Sequence, residues 1–359
     1  MKSLASKIAL FGIAVILAGG LTEALLRVLK LPAVGVSHQP CIYVRDETNG
    51  YAYRPGSRDR MHRNFEMDVM VSINSNGFHD VERGERKNSD GLRMAAIGDS
   101  FTASLHVPVP AMWTQVLARE MTARGKVPVD VYNLGMDGTG TDVQVNILKT
   151  QLDRGLEFDR VILAFYKNDV DDVAIGPLFR EVEGGYVITY QDESQKMAIL
   201  DRLKNGQPSR RVAAAYRRSY LFRLICNTIR PGNLLRSNFA GPQQAGLQPN
   251  RKHEPGARLD AAFRNLISLS VKNHFELSVI PVPAKRDPDG SMKALTGNVS
   301  AEVLRQISVI DVVPALERLR NERHIGYREM FWKHDGHLNE TGNRLFALAV
   351  VQAIDGARR

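Results

Sequence analysis

The stretch Ile97-Gly98-Asp99-Ser100-Phe101-Thr102 follows an apolar run at residues 92–97 and precedes a helical pattern that opens near Ala111. A glycine, a carboxylate and a hydroxyl therefore stand where a predicted strand ends. In a parallel α/β sheet, ligands bind at that edge, and a serine there becomes a nucleophile when a histidine reaches its hydroxyl. Gly, Asp and Ser are also ordinary turn formers. The tripeptide alone favours a plain turn, and the choice depends on the partners that the rest of the chain supplies.

Outward from this stretch, short apolar strands alternate with amphipathic helices. The strands are predicted at residues 93–97, 129–133, 160–165, 276–282 and 306–312, and the helices at residues 111–124, 142–153, 258–273 and 340–354. Such alternation indicates a sheet covered on both faces, with right-handed crossovers. We predict an α/β fold: a three-layer α/β/α sandwich around a central, mostly parallel five-stranded sheet, with the five strands in order, within residues 92–355.

The N-terminus has the pattern of a secretory signal or a signal anchor. Lys2 and Lys7 precede an uncharged apolar run at residues 8–21, and apolar residues resume after Glu23. This length just suffices to span a bilayer. We predict an uncleaved transmembrane anchor at residues 1–30, in the inner membrane if the protein is bacterial, with the bulk of the chain on the periplasmic or extracytoplasmic side. A signal cleaved near residues 18–20 is the alternative.

Two segments lie outside the regular alternation. Residues 31–91 are a loop-rich leader with a short strand predicted at residues 67–73, and residues 174–256 form an insert. The insert opens with a hairpin-like segment at residues 179–190 and then becomes basic, with 13 lysines and arginines against two acidic residues between positions 196 and 258. The basic stretch is either a solvated cap or a contact for anionic lipid or glycan.

Composition excludes several classes of protein. The 359 residues have the apolar and charged fractions of a globular protein, and two cysteines, Cys41 and Cys226, do not make a disulfide framework. The net charge of +9 comes from the insert. Because the chain has no zinc spacing, Walker loop or RNA-binding motif, we predict no nucleic-acid partner.

Three more segments carry polar residues to the same predicted sheet edge. The second strand is followed by a glycine-rich turn containing Gly138, and the third by Asn168 and Asp169. Asp335 and His337 stand two residues apart just before the last helix, a spacing that lets a carboxylate orient an imidazole for proton transfer. Each segment also has a plain interpretation as a turn or helix cap. Histidines beside an aspartate are a candidate metal site as well, but a third convincing ligand is missing, so we predict neither a metal nor a cofactor.

Taken in order, these motifs resemble the SGNH (GDSL-like) hydrolases. The residues that carry the resemblance are Gly98, Asp99, Ser100, Gly138, Asn168, Asp169, Asp335 and His337. The resemblance covers residues 70–172 and 270–355, and the segment at residues 71–78, following an N-terminal anchor, looks like the leader of membrane-anchored bacterial members. It implies a flavodoxin-like arrangement of the sheet.

The resemblance also implies roles. Ser100 would be the nucleophile, His337 the general base and Asp335 the group that orients it. The oxyanion hole would use the Ser100 N–H, the Gly138 N–H and the Asn168 side chain. Asp99 and Asp169 would support the site.

Two residues depart from the family pattern. Tyr166 stands where many members have glycine before the Asn-Asp pair, which predicts a more crowded pocket beside Asn168. Many members space acid and base as Asp-x-x-His, whereas this chain has His334 at that place and Asp335 one residue later. The shorter spacing resembles polysaccharide O-acetyltransferases and acetylesterases, and it leaves two candidates for holding the imidazole, Asp335 or a backbone carbonyl.

The expected function is that of a serine esterase or acyltransferase acting on O-acetyl groups of cell-envelope or exported polysaccharide. Its expected partners are an acylated glycan or small ester, and the membrane through the anchor. The alternatives are a lipid esterase at the membrane surface and a non-catalytic envelope scaffold that binds glycan. The other histidines, including His79, His106 and His274, are interpreted as surface or core residues.

Overall fold

The computed structural model describes residues 2–31, 37–63, 65–83, 91–125, 127–175, 178–182, 185–189, 215, 218–228 and 255–357. The chain divides into two compact units. The first comprises Met1–His38, His62–Met67 and Thr189–Ala245, and the second Gln39–Met61, Asp68–Ile188 and Gly246–Arg359. The domain boundaries expected from the sequence stay a prediction.

The helices of the described residues are α1 (Lys2–Leu29), α2 (Ser100–Ala103), α3 (Trp113–Arg124), α4 (Thr141–Asp153), α5 (Asp169–Ile175), α6 (Tyr220–Thr228), α7 (Pro255–Asn273), α8 (Gly290–Asn298), α9 (Ala301–Leu304), α10 (Val313–Glu322) and α11 (Glu340–Ala357). The strands are β1 (Ser37–His38), β2 (Tyr43–Asp46), β3 (Gly50–Tyr53), β4 (Arg58–Arg63), β5 (Met67–Ser72), β6 (Leu92–Gly98), β7 (Val129–Asn133), β8 (Arg160–Phe165), β9 (Leu178–Val182), β10 (Gly185–Thr189), β11 (Glu276–Pro281) and β12 (Ser308–Val309).

The second unit is built on a five-stranded sheet with the order β12-β11-β8-β6-β7, in which every neighbouring pair is parallel. The predicted α/β fold with a central parallel sheet is therefore confirmed. The expectation that the strands follow in order is wrong, because β6 lies between β7 and β8. This is the flavodoxin-like arrangement, in which the chain starts inside the sheet and winds in both directions. Ligands bind where the direction reverses, so the ends of β6 and β8 mark the site.

Helices cover both faces of this sheet. All six residues of β8 are buried, and their side chains alternate between two packing layers. Ile162 and Ala164 belong to the core that α3, α10 and α11 cover, where Trp113 and Phe346 meet edge to face. On the other face, Phe165 packs against Phe263 of α7, with 6.3 Å between the ring centroids. The fold thus has the three predicted layers.

Some elements differ from the expectation. The last strand is two residues long, where residues 306–312 were expected. A helix begins at Ser100, directly after β6, whereas the sequence indicated a helix only near Ala111. The reason is local: the Asp99 side chain accepts a hydrogen bond from the Phe101 N–H at 2.9 Å and caps this short helix.

The leader has more regular structure than the sequence indicated. Its expected strand is present as β5, but β1 to β4 were not predicted. β2 and β3 form an antiparallel pair that sets Tyr43 opposite Tyr53, and β10 joins β2 through Tyr186. β9 and β10 are the arms of the expected hairpin, while its turn at residues 183–184 and most of the basic stretch at residues 196–258 lie outside the described residues.

Gly98 ends β6 at a point where a side chain has no room. A Cβ atom there would lie 2.3 Å from Thr102 Oγ1 and 2.8 Å from the Ala164 carbonyl oxygen. Gly98 also has φ +157. The turn that presents Ser100 therefore depends on a bare backbone packed against the next strand.

We predict that Gly98→Ala lowers the free energy of unfolding by about 2–3 kcal/mol, because the added methyl group must displace the backbone of β8. Denaturant titration measures the change. Gly297→Ala is the matched control, since open space surrounds Gly297 in α8. We expect this control to be neutral or to stabilise by up to about 1 kcal/mol. Equal effects of the two substitutions would contradict the packing argument.

Candidate active site

Ser100 begins α2 directly after the carboxyl end of β6 and is buried except for 6 % of its surface. Its Oγ lies 2.7 Å from His337 Nε2. The two residues are 237 positions apart, and the fold joins them because α11 follows the loop of His337 and packs beside α3. Ser100 therefore has the histidine partner that distinguishes a candidate nucleophile from a serine in a plain turn.

Asp335 holds the other side of the imidazole. Its Oδ1 contacts His337 Nδ1 and also accepts the backbone N–H of His337 at 2.9 Å. A bridge between Phe331 and Leu338 closes this loop, and the Trp332 N–H donates to the His337 carbonyl at 3.0 Å. The Asp-x-His spacing thus brings the carboxylate to the imidazole, and of the two candidates for holding it the structure has Asp335.

His106 lies in the site, and its interpretation as an ordinary surface or core residue missed this contact. Its ring stacks on that of His337, with 3.8 Å between centroids and 14° between planes. His106 Nε2 is 3.9 Å from Asp335 Oδ2. The sequence gave no signal for this, because His106 stands alone in a loop after α2. By contrast, His79 is buried and bonds the Ala103 carbonyl, and burial lowers its pKa to about 4.

The charges around His337 favour its protonated form. Burial by itself lowers the pKa of the imidazole, but the charge and hydrogen bond of Asp335 raise it, and Asp99 and Asp137 add to this. The resulting pKa lies above the usual 6.5. A base surrounded in this way stabilises the imidazolium that forms when it takes a proton.

His106, Asp335 and His337 are the one group of three possible metal ligands found among the described residues, with donor atoms within 4.8 Å of one another. In the observed geometry the two nitrogens of His337 already face Ser100 and Asp335. A metal ion bound by either nitrogen would displace one of these partners. The arrangement fits proton transfer better than metal binding.

The glycine-rich turn after β7 packs directly under the Ser100 turn. The Met136 N–H donates to the Gly98 carbonyl at 3.0 Å, and Asn133 Nδ2 donates to the Thr102 carbonyl at 2.8 Å. Gly138 has φ +71, a left-handed conformation that favours glycine. The turn therefore brings Gly138 to the sheet edge at which Ser100 stands.

Asn168 follows β8 at the same edge. Its Nδ2 donates to Asp172 Oδ2 at 2.7 Å, one helical turn further along α5, and the amide also lies beside the Asp99 carboxyl group. An amide nitrogen carries two hydrogens. Asp172 accepts one of them and thereby fixes the orientation of the amide.

Buried carboxyl groups surround this asparagine. Burial raises the pKa of Asp99 to about 6, although the Phe101 N–H and His337 oppose the shift. Burial, with Asp99 and Asp171 nearby, raises the pKa of Asp172 to about 7. The pKa of Asp169 is also raised, and its carboxylate accepts hydrogen bonds from Thr141 and Gln144 at 3.4 and 3.3 Å. Asp169 therefore ties α5 to the start of α4.

Three leader tyrosines converge on Asp137, beside Gly138. The hydroxyl groups of Tyr43 and Tyr53 donate to the Asp137 carboxylate, and Tyr51 donates to its carbonyl oxygen at 2.5 Å. Burial raises the pKa of the Asp137 carboxyl, and all three rings are buried. The leader thus braces the turn that carries Gly138. Sequence reasoning missed this role, because no local pattern relates the strands β2 and β3, which carry the tyrosines, to Asp137.

Tyr166 crowds the pocket as its sequence position predicts. Its ring lies 4.0 Å from that of Phe101, which in turn lies 4.9 Å from the His337 ring. Burial, with Asp99 nearby, raises the pKa of the Tyr166 hydroxyl to about 12, so it stays neutral. Two aromatic rings therefore wall the site beside the Ser100–His337 pair.

Lys285, after β11, holds the loop of the acid and was also missed. Its ammonium group donates to the carbonyl oxygens of Trp332, Lys333 and Asp335 at 2.5, 2.8 and 3.1 Å. Three acceptors use all three ammonium hydrogens. A single side chain thereby fixes the backbone on which Asp335 stands.

Neither a family model nor a curated protein matches the chain. Similar solved structures include an esterase, EstA, from Pseudoalteromonas sp. (10% identity, 74% of this chain, 98% of that chain, TM-score 0.41). Another is a G-D-S-L family lipolytic protein from Veillonella parvula (13% identity, 74% of this chain, 98% of that chain, TM-score 0.37). A third is a lipase/acylhydrolase from Enterococcus faecalis (18% identity, 74% of this chain, 96% of that chain, TM-score 0.37). The function of this chain is argued from its own site.

We predict that Lys285→Met lowers kcat for a small chromogenic ester by about 10- to 100-fold with little change in KM, because a displaced Asp335 no longer orients His337. Steady-state kinetics measures both constants, and a thermal melt checks that the protein stays folded. Lys293→Met is the matched control, since Lys293 is exposed and pairs only with Asp287 among the contacts described. Unchanged kcat in Lys285→Met would show that the loop holds Asp335 without the lysine.

Proposed function

We propose that this chain is a serine esterase or acyltransferase of the SGNH type that works through an acyl-Ser100 intermediate. The 2.7 Å contact between Ser100 Oγ and His337 Nε2, with Asp335 on the opposite nitrogen, carries the proposal. A serine hydroxyl in contact with an imidazole that a carboxylate holds from the other side is the arrangement that performs nucleophilic acyl transfer on several unrelated folds.

In the proposed reaction, Ser100 Oγ attacks the ester carbonyl carbon while His337 Nε2 takes the hydroxyl proton. The tetrahedral oxyanion accepts hydrogen bonds from the Ser100 N–H, the Gly138 N–H and the Asn168 amide. Collapse expels the alcohol, which takes the proton from His337, and leaves an ester on Ser100. Water then attacks the acyl carbon while His337 takes its proton, and collapse releases the acid as His337 returns that proton to Ser100 Oγ. A sugar hydroxyl in place of water gives a transferred ester by the same steps.

Asp335 serves this cycle by keeping a proton on His337 Nδ1, so that Nε2 is free to accept one from Ser100. Asp99 caps α2 and thereby directs the Ser100 N–H, and Asp172 orients the Asn168 amide. Asp169 links the segment of Asn168 to α4. These three acids are supporting residues in the proposal.

The proposed substrate is an O-acetyl ester on cell-envelope or exported polysaccharide. Phe101 and Tyr166 fill the space beside the Ser100–His337 pair, which suits a short acyl group. A helix at residues 6–29 is apolar and long enough to cross a membrane, and a signal sequence has the same character. We infer that it anchors the chain in the inner membrane with the hydrolase unit on the periplasmic side, where such polysaccharides are found.

A fluorophosphonate probe tests the nucleophile. We expect wild-type protein to be labelled, Ser100→Ala to be unlabelled, and His337→Ala to be labelled at least about 100-fold more slowly, since the base is lost. Gel fluorescence over time gives the rates. Ser104→Ala is a matched control, because Ser104 lies in the same turn but faces Phe101 and Asn343. Labelling at full rate without His337 would refute the base assignment, and labelling of Ser100→Ala would refute the nucleophile.

Chain-length preference tests the acyl group. We expect kcat/KM for nitrophenyl esters to be highest for acetate and to fall by at least about tenfold at octanoate, because the Phe101 and Tyr166 rings restrict the space beside the Ser100–His337 pair. Tyr166→Gly is expected to narrow this difference. A preference for long chains would favour a lipid esterase over an acetyl esterase.

The pH dependence follows from the raised pKa of His337. Because only the neutral imidazole accepts the Ser100 proton, kcat/KM is expected to fall as the pH drops through a pKa above 6.5. Asp335→Asn removes the charge that raises this pKa, so the acid limb moves to lower pH while the plateau drops by about 10² or more. His274→Asn, far from the Ser100 turn in sequence and exposed, leaves the limb unchanged. An acid limb unaffected by Asp335→Asn would contradict the assignment.

A further inference from the structure

Glu23 is the one carboxylate in the apolar helix α1. A charge in a membrane-length apolar segment is costly unless a partner compensates it. Here both oxygens of the carboxylate are engaged within the first compact unit. Oε1 accepts the Tyr220 N–H at 3.0 Å and the Arg27 Nε–H at 2.9 Å. Oε2 accepts the Leu221 N–H at 2.8 Å and the Ser219 hydroxyl at 3.0 Å.

These bonds cap α6. The first N–H groups of a helix have no partner inside it. The Glu23 carboxylate accepts the N–H groups of the first two residues of α6. Ser219 Oγ accepts the N–H of the third residue, Phe222, at 3.0 Å. Arg27 adds a bond to the Arg218 carbonyl oxygen at 2.6 Å. A segment almost 200 residues further along the chain is therefore fastened to α1 by its helix terminus.

The fastening lies near the end of the apolar segment. The apolar segment at residues 6–29 contains an 18-residue window with a mean hydropathy of 2.1. A hydrocarbon core takes about 20 residues, which counted from Ile8 ends near Arg27. Glu23 is therefore within about 6 Å of the predicted membrane boundary. This count places the start of α6 close to the boundary between the acyl chains and the lipid headgroups.

Aromatic rings and cations gather at this level. The Arg27 guanidinium lies 4.9 Å from the centre of the Tyr220 ring, and Lys30 Nζ lies 5.9 Å from that of Phe65. The two rings are 6.2 Å apart. Aromatic side chains with flanking lysine and arginine are typical of the bilayer interface.

α6 itself has an apolar face that the described residues leave partly open. Leu221, Phe222 and Leu224 are half-buried, and Ile225 is 44 % exposed. Arg223 is buried, and its guanidinium lies 4.1 Å over the Tyr220 ring. A short amphipathic helix with exposed apolar side chains, held at the headgroup level, has the character of a helix lying in the interface plane.

We propose that α6 lies in the headgroup region of the phospholipid bilayer that α1 spans, with Ile225 toward the acyl chains and Glu23 fastening the helix to the anchor. The proposal rests on the anchor inferred above and does not depend on the esterase chemistry. Its partner is the lipid bilayer, and its effect is to hold residues 218–228 of the insert at the membrane surface.

Depth-dependent quenching in vesicles tests this proposal with the full chain. A background with Cys41→Ser and Cys226→Ser receives Ile225→Cys, is labelled with the fluorophore NBD, and is reconstituted in phospholipid vesicles that contain a shallow doxyl-labelled lipid. The control carries Val271→Cys, since Val271 is 70 % exposed on α7 of the other unit. We expect quenching at residue 225 to exceed that at residue 271 by at least about twofold, with blue-shifted emission.

Glu23→Leu separates fastening from anchoring, because it keeps α1 apolar and removes the cap. Quenching at residue 225 is expected to fall by about half or more. Equal quenching at residues 225 and 271, no response to Glu23→Leu, or release of the chain from the vesicles by alkaline carbonate would each overturn the proposal. Ester hydrolysis is measured in the same vesicles. Ser100→Ala should abolish hydrolysis and leave quenching intact, so failure of the esterase proposal is recognised separately.

Discussion

The backbone at Gly98 has no space for a side chain, and this constraint sets the position of Ser100. The strand ends in contact with the next strand, so the chain must turn at once, and Asp99 caps the helix that results. The glycine-rich turn of Gly138 then packs beneath, with the Met136 N–H on the Gly98 carbonyl. The glycine-rich turn and the start of α2 thereby meet at the strand-order reversal, beside the Ser100 hydroxyl.

Opposite this turn, the base is held by a loop that has little regular structure of its own. Its geometry comes from the Phe331–Leu338 bridge, from Lys285 and from the Asp335 carboxylate. Packing also matters, since the rings of His106 and Phe101 both lie against the imidazole of His337. The nearby acids make the environment negative, and a negative environment favours the imidazolium formed during proton transfer. The same burial that raises the pKa values of Asp99 and Asp172 keeps water from weakening these interactions.

Patterns that depend on neighbours in the chain were visible in the sequence. The buried run of β8 and the amphipathic helices predicted the three layers of the fold. The candidate site residues could be selected because each follows a strand or precedes a helix: Ser100, Asn168, Asp335 and His337. Contacts between distant segments were not visible. Lys285, His106 and the tyrosines around Asp137 act through partners that are at least 47 positions away, and no local rule relates them. The order of the strands did not follow from periodicity, which reports which segments are strands and not which strands are adjacent. Only the family resemblance implied the flavodoxin-like order that the sheet has.

The most direct measurement of the central claim is mass spectrometry of the intact chain and its peptides after brief mixing with an acetyl ester and acid quenching. The account predicts an added acetyl mass on the peptide that contains Ser100, absent from Ser100→Ala and longer-lived in variants that slow deacylation. Turnover of the ester with no adduct in either the wild type or such variants, or an adduct on a different residue, would contradict it.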